Sequence, residues 1–384
     1  MKKQVLLFVL LSSLVATGCN NNGSKEPAKP KAEDLGTLDF HTDLMKQYLN
    51  DPQWDSILKY VPKVNAEDSS YHDDLSQPNP LKLKFEEVEA ADKYYVELAK
   101  TEDFANAKKV EVTEKVYNFY NSEIGQEYYY RAAVSEEALA NAKVYKFKVN
   151  DVAPRNIHVD GVINFRDCGG WKSSLVKDGV IKQGMYYRCA QFNNGRTNNI
   201  TEEGLKTIKE LNIKVDIDMR DSYNVPSKSP ISTEDHEVEL LKGSVASGSE
   251  DGRWEGYHEK DKNMSATYKK IFEAIAQADQ KPIALHCTHG ADRTGIVSWF
   301  LLGLLGVSKE DCGRDYVMTR FAGERAVLPT NEIAKWNTKT EAVEGATWAE
   351  KTYNHLKNDI GIEADTLETI REKFVAGYTR PAGA

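Results

Sequence analysis

Ile283-Ala284-Leu285-His286-Cys287-Thr288-His289-Gly290-Ala291-Asp292-Arg293-Thr294-Gly295 is the stretch on which the reading of this 384-residue chain turns. The short apolar run before Cys287 has the length and composition of a buried strand. Gly290 and Gly295 relax the turn that follows, and the apolar run Ile296 to Leu305 reads as a helix starting at about Arg293 and stopping near Gly306. Strand, tight loop and helix in that order place Cys287 at the carboxyl edge of an α/β sheet, where such sheets gather their ligands.

Successive backbone N–H groups between a strand end and a helix N-terminus form a concavity suited to a dianion such as phosphate. A thiol at its centre feels the same field. The helix-terminal amides and the fixed charge of Arg293 favour the thiolate, so Cys287 is expected to be nucleophilic at neutral pH. The planar fork of Arg293 can grip two phosphoryl oxygens and follow them through a transition state. The chemistry these residues imply is phosphoryl transfer to sulfur. A cysteine with an arginine six positions on is weak evidence alone, and its plain alternative is a buried structural thiol. The preceding His, the Gly three residues after the Cys, the Thr-Gly after the Arg, and the flanking strand and helix make the pattern specific.

His286-Cys287-x-x-Gly290-x-x-Arg293-Thr294-Gly295 resembles the signature loop of the cysteine-dependent protein tyrosine and dual-specificity phosphatases. Asp292 directly before Arg293 is similar to the bacterial tyrosine/serine and phosphoinositide phosphatase branch. That branch also carries an upstream block matched by Asn164-Phe165-Arg166-Asp167-Cys168-Gly169-Gly170, and a later Asp-x-Arg matched by Asp218-Met219-Arg220. The resemblance covers roughly residues 155 to 375. It implies an α/β phosphatase domain, a central mostly parallel sheet flanked by helices, over residues 151–384. It implies catalysis by Cys287 and Arg293, and phosphate binding by Thr288, His289, Gly290, Ala291 and Thr294, with no metal and no cofactor. Relatives active on phosphoinositides have Lys where this chain has Ala291, leaving His289 as the only additional cation in the loop. Fewer fixed charges weaken binding of multiply phosphorylated inositides. Phosphotyrosine in protein or peptide is therefore the leading substrate, and phosphoinositide or inositol polyphosphate the second. A binder of phosphorylated or sulfated ligands that performs no turnover is the non-enzymatic alternative.

Composition sets wider limits. Apolar residues make up 40% of the chain, enough for two domains and a sizeable core. A net charge of -9 and a pI near 5.6 argue against a nucleic-acid partner, because a polyanion binder is basic. Lys2-Lys3, the apolar run Val5 to Val15 and Ala16-Thr17-Gly18 before Cys19 read as a signal peptide over residues 1–19. Ala16-Thr17-Gly18-Cys19 resembles a bacterial lipobox, which implies a lipid on Cys19 and an extracytoplasmic protein tethered to the outer face of a bacterial cell membrane. Ordinary secretion is the alternative. Cys168, Cys189, Cys287 and Cys312 show no paired spacing of the kind that holds zinc. In an oxidising compartment Cys168 or Cys189 could pair with Cys287, against the blander reading of all three as small buried side chains.

Residues 20–36 are polar and expected as a disordered linker, and 37–78 as short helical segments. From about Pro80 the period becomes two: Leu81 to Phe85, Tyr94 to Leu98 and Tyr128 to Val134 read as short strands. Residues 79–150 therefore predict a small all-β sandwich, and their order resembles a fibronectin type III module, with a spacer role favoured over ligand binding. Further along, Thr201 is placed to cap a helix, and Ile213 to Met219 reads as a strand ending at Asp218. Residues 243–263, polar and rich in Gly and Ser, read as a lid.

Splitting a P–O bond leaves an oxyanion that needs a proton, so a carboxylic acid must stand nearby. Asp292, Asp218 and Asp251 compete for that role, and Asp218 has the alternative of pairing with Arg220. Thr294 is placed to hydrogen-bond the sulfur, and His286 to orient Cys287. Arg166 and Asp167 either pair to shape the pocket floor or staple two loops.

Overall fold

The computed structural model describes residues 31–61, 74–193, 199–220, 225–242, 262–322 and 337–382. The leader with Cys19 and the polar stretch holding Asp251 lie outside the described residues. The first half comprises β1 (Glu33–Leu38), α1 (Asp43–Leu49), β2 (Leu81–Lys84), β3 (Tyr94–Ala99), β4 (Lys108–Val112), β5 (Val116–Phe119), β6 (Glu127–Ala133) and β7 (Val144–Val149). Five of these strands form one sheet in the order β1-β7-β6-β3-β4, and β2 pairs with β5 in a second. Alternation decides which side faces inward: Tyr128, Tyr130 and Ala132 of β6 are buried while Glu127 and Tyr129 are less so. The two sheets share a core in which the Phe119 ring meets Tyr128 edge-on at 5.2 Å and the Tyr130 hydroxyl donates to the Lys84 carbonyl at 2.8 Å.

The linker expected through residue 36 ends earlier, because Glu33–Leu38 is strand β1, paired parallel to β7. Its residues are almost all exposed, so main-chain hydrogen bonds rather than apolar burial hold it. A hydropathy pattern cannot show such a strand.

The second half comprises β8 (Arg155–Asn156), β9 (Arg166–Asp167), β10 (Lys172–Ser173), β11 (Gly179–Val180), β12 (Tyr186–Cys189), α2 (Glu202–Glu210), β13 (Val215–Asp218) and β14 (Glu239–Lys242). It continues with α3 (Lys262–Gln277), β15 (Ile283–His286), α4 (Asp292–Leu304), α5 (Lys309–Met318), α6 (Trp348–Asn354) and α7 (Ala364–Phe374). The main sheet runs β14-β13-β15-β12-β9-β8. Its first four strands are parallel, and β9 and β8 join antiparallel at one edge.

Helix α4 is buried from Arg293 to Leu304 and packs on α5, α6 and the strands β12 and β15. That burial on every side matches its apolar sequence and fixes the loop before it. Gly295 is required there, since a Cβ would lie 2.7 Å from the Tyr316 ring. One apolar cluster runs from Tyr128 and Phe147 of the β module through to Ile217, Leu285 and Phe300, so the two halves share a continuous core. Helix α1 and the segment after it dock on the α/β half. Arg314 donates to the Tyr48 carbonyl at 2.9 Å, and the Trp54 indole sits where a Cβ on Gly313 would be, 2.9 Å away.

Candidate active site

Adjacent parallel strands deliver the main groups. Residues Asp218 of β13 and His286 of β15 are register partners, as are His286 and Cys189 of β12. Cys287 follows β15 directly and is buried. The loop then turns through Gly290, at φ +68°, into α4. A Cβ at Gly290 would lie 2.3 Å from the Cys189 carbonyl oxygen, so the close approach and the left-handed backbone both demand glycine.

The loop's carbonyls are held from behind. Asn164 Nδ2 donates to the His289 carbonyl at 3.0 Å, Arg188 donates to the Gly290 carbonyl at 2.8 Å, and the Gln191 amide donates to the Thr288 carbonyl at 3.1 Å. Peptides anchored through their oxygens leave their amides for the opposite side, which is what an anion site needs. The N-terminus of α4 is also left open: α2, α5 and α6 are capped by Thr201, Ser308 and Thr347, whereas Ala291 supplies no side chain to the first amides of α4.

Asp315 organises this clamp. Its carboxylate takes Arg166 Nε at 2.8 Å and a hydrogen bond from Arg188. Arg166 also donates to Asn164 Oδ1 at 2.6 Å. All four side chains are buried, and the two guanidiniums overcome the penalty of burial to hold the Asp315 carboxyl below its ordinary range. Arg166 and Asp167 do not pair with each other. Neighbours on a strand face opposite ways, and Asp167 instead meets Arg155 at 2.7 Å. The two residues therefore act apart: Arg166 supports the loop through Asn164 and Asp315, while Asp167 fastens β8 to the sheet.

Arg293 Nη1 donates to the Met219 carbonyl at 3.0 Å, and Nη2 lies 3.5 Å from the Thr288 hydroxyl, so the guanidinium spans the end of β13 and the loop. Asp218 is enclosed by Arg220, whose backbone amide and guanidinium all donate to its carboxylate at 2.6 to 3.0 Å. Burial works against ionisation of Asp218, but His286 and Arg220 outweigh it and keep the group a carboxylate. Arg220 reaches on to Gln191 Oε1 at 2.8 Å, tying β13 to the residue that holds the Thr288 carbonyl. Asp292 stands at the first turn of α4, partly accessible. Thr294 is wholly buried, and its hydroxyl has no hydrogen-bond partner among the described residues, the sulfur included.

His286 has no exposed surface. Its Nδ1 donates to the Cys287 carbonyl at 3.1 Å, while Nε2 lies 3.0 Å from Asp216 Oδ1, off the hydrogen-bond direction, and 3.9 Å from Asp218 Oδ2. Burial alone would pull its pKa down; Asp216 and then Asp218 more than reverse this and hold it at about 9. His286 is thus held as a buried imidazolium against the Cys287 carbonyl. His289 is the opposite case, since burial and then the charge of Arg293 push its pKa down, so the loop gains no second cation from it at neutral pH. Cys168, Cys189, Cys287 and Cys312 are all free thiols. Burial pushes Cys168, Cys189 and Cys312 well above the usual thiol range, which marks them as inert.

The model of the tyrosine phosphatase family matches residues 157–382, which contain the loop, its clamp and the whole main sheet from β9 onward. The chain belongs to the tyrosine phosphatase family. A tyrosine-protein phosphatase of Nostoc commune is 26% identical over 135 residues, 31% of this chain and 45% of that protein. The chain therefore matches less than half the length of that family relative. Among solved structures, TpbA of P. aeruginosa in complex with pTyr is 15% identical, covering 40% of this chain and 82% of its own at a TM-score of 0.26. The Siw14 catalytic core is 14% identical, covering 49% and 96%, at a TM-score of 0.25.

The signature loop is legible in the sequence and most of what supports it is not. Arg188, Asp315, Asp216 and Gln191 belong to none of the motifs. Three of them do leave a trace: Arg188 in Tyr186-Tyr187-Arg188-Cys189, Asp216 in Val215-Asp216-Ile217 and Asp315 in a buried helix are charges inside otherwise apolar or buried elements.

Proposed function

We propose that the chain is an exported, lipid-anchored phosphatase that hydrolyses phosphomonoesters through a phosphocysteine, with phosphotyrosine in protein or peptide as its substrate. The carrying observation is the loop itself: its carbonyls are tied back by Asn164, Arg188 and Gln191, and it runs into a helix whose first amides are uncapped. A phosphoryl dianion fits that ring of donors, with Arg293 on its oxygens. Cys287 Sγ attacks phosphorus, the S–P bond forms, and the P–O bond to the substrate breaks. The departing oxygen takes a proton from Asp292, favoured over Asp218 because Asp218 is locked to Arg220 as a carboxylate. Water then attacks the phosphocysteine, Asp292 accepts its proton, the S–P bond breaks and inorganic phosphate leaves. His286, held as a cation by Asp216, stabilises negative charge on the sulfur from below.

The family description supports tyrosine phosphate over other esters. So does charge: Ala291 in the loop and a neutral His289 leave little to balance a multiply phosphorylated inositide, which stands as the second reading. The leader and Cys19 support export and lipid attachment, and the β module reads as a fibronectin type III-like spacer between anchor and catalytic domain.

The test is a substrate panel of phosphotyrosine peptide, phosphoserine peptide, phosphoinositide and phytate, with Cys287→Ser as control. Phosphotyrosine turnover that vanishes in Cys287→Ser is expected. Binding of phosphorylated ligands without turnover would leave the non-enzymatic alternative standing. Globomycin-sensitive processing and labelling of Cys19 with a fatty-acid analogue test the anchor.

A further inference from the structure

A cavity of about 780 Å³ lies between the β module and the α/β half. It opens toward the amino ends of the parallel strands, bounded by Gly184 before β12 and by Leu211 after α2, whereas Cys287 lies at their carboxyl ends. The cavity and the phosphate loop therefore use opposite ends of one sheet. Strand alternation separates them further, since Tyr187 faces the cavity and its neighbour Arg188 faces the loop.

Its size is that of a small-molecule site, and junctions between modules are where such sites occur. Among the described residues, every charge in its wall is already balanced. Lys100 pairs with Glu123 at 2.6 Å, Lys108 bridges the two halves to Glu210 at 2.8 Å, and Arg155 is held by Asp167 at 2.7 Å. A phosphate, a carboxylate or a polyamine would have to break one of these pairs. The remaining wall is aromatic and amide-bearing. Tyr120, about one third exposed, stacks on His158 at 4.6 Å, and the Phe119 and Tyr128 rings also line the wall. Asn106 and Asn121 both hold left-handed backbone, at φ 56° and 60°, and both line the cavity. Asparagine holds that conformation readily; the Asn121 carboxamide is spent on the His158 backbone at 2.7 and 3.0 Å, while Asn106 is exposed. Arg155 lines the cavity too, is 3% exposed, and leaves its Nε–H buried without a partner. Its outer nitrogens are already spent on the Asn121 carbonyl, Asp167 and the Tyr187 hydroxyl, so Arg155 closes the floor of the cavity.

We propose that this cleft is a binding site for a neutral saccharide. A sugar ring offers an apolar face to Tyr120 and hydroxyls to the exposed Asn106 and to the paired side chains of Lys100, Glu123, Lys108 and Glu210, and it asks none of the ion pairs to open. The site is independent of the phosphatase reading.

The experiment titrates the full-length protein with maltose, cellobiose, lactose and N,N′-diacetylchitobiose, each up to about 10 mM, by calorimetry and saturation-transfer NMR. At least one is expected to bind. Tyr120→Ala and Asn106→Gly are each expected to weaken it at least tenfold with the thermal midpoint of unfolding unchanged. Three results would overturn the proposal: no binding of any of the four, binding unaltered in Tyr120→Ala, or tighter binding of a sulfated or phosphorylated form of the same sugar.

Discussion

Replacing Asp216 with Asn keeps the shape of the side chain and removes the charge that faces His286 at 3.0 Å. The remaining carboxylate, Asp218, is farther from the ring at 3.9 Å and is enclosed by Arg220. Burial then prevails, and the imidazole pKa should fall from about 9 to its ordinary 6.5 or below. The sign of the stability effect follows. A histidine whose folded pKa is raised contributes stability that is complete below its unfolded pKa and lost as pH rises through the folded one. The window is therefore pH 6.5 to 9, and the full contribution is about 3 kcal/mol as an upper bound. Denaturant unfolding of wild type and Asp216→Asn should differ most near pH 6 and converge by about pH 9.5. The difference between the two proteins cancels other groups that titrate in the same range. NMR of the His286 ring gives the midpoint directly, and inactivation by iodoacetamide should be slower in Asp216→Asn near pH 7. An unchanged ring midpoint, or a stability difference equal at both pH values, refutes the idea that Asp216 holds an imidazolium under the loop.

Gly290→Ala forces a Cβ to within 2.3 Å of the Cys189 carbonyl oxygen at a φ of +68°, so kcat/KM on p-nitrophenyl phosphate should fall by about 100-fold or more because the loop moves. Asp315→Asn leaves two buried guanidiniums short of a counter-charge and should destabilise the fold by about 3 to 5 kcal/mol, read from urea midpoints at pH 7. Because the folded pKa of Asp315 is depressed, that loss should shrink as pH falls below the unfolded carboxylate range. Asp292→Asn should slow hydrolysis of alkyl phosphates far more than of p-nitrophenyl phosphate, whose leaving group scarcely needs a proton; equal losses would remove Asp292 as the acid. Lys373 donates to the Ile275 carbonyl at 3.2 Å while burial pulls its pKa down to about 7, so Lys373→Met should stabilise the protein, most at pH 6 and less as pH approaches 10.5.

What the amino-acid sequence determined by itself is local. The run from Ile283 to Gly295 announces strand, loop and helix because a buried strand, a glycine turn and an apolar helix each leave a contiguous mark. The alternation of β6 and the capping threonine of α2 are legible for the same reason. Strand β1 is not, because it is held by main-chain bonds to β7, more than a hundred residues away, and buries almost nothing.

Only the tertiary structure decided which charges meet. Asp315 reaches Arg166 and Arg188 across more than a hundred residues, and Asp216 lies one strand over from His286. Nothing in the spacing of these residues distinguishes them from solvated charges; they become a clamp and a buried cation because β13, β15 and β12 lie side by side and α5 brings Asp315 to Arg166 and Arg188. The motif names the atoms that could do the chemistry, and the packing of strands on helices fixes the field those atoms feel.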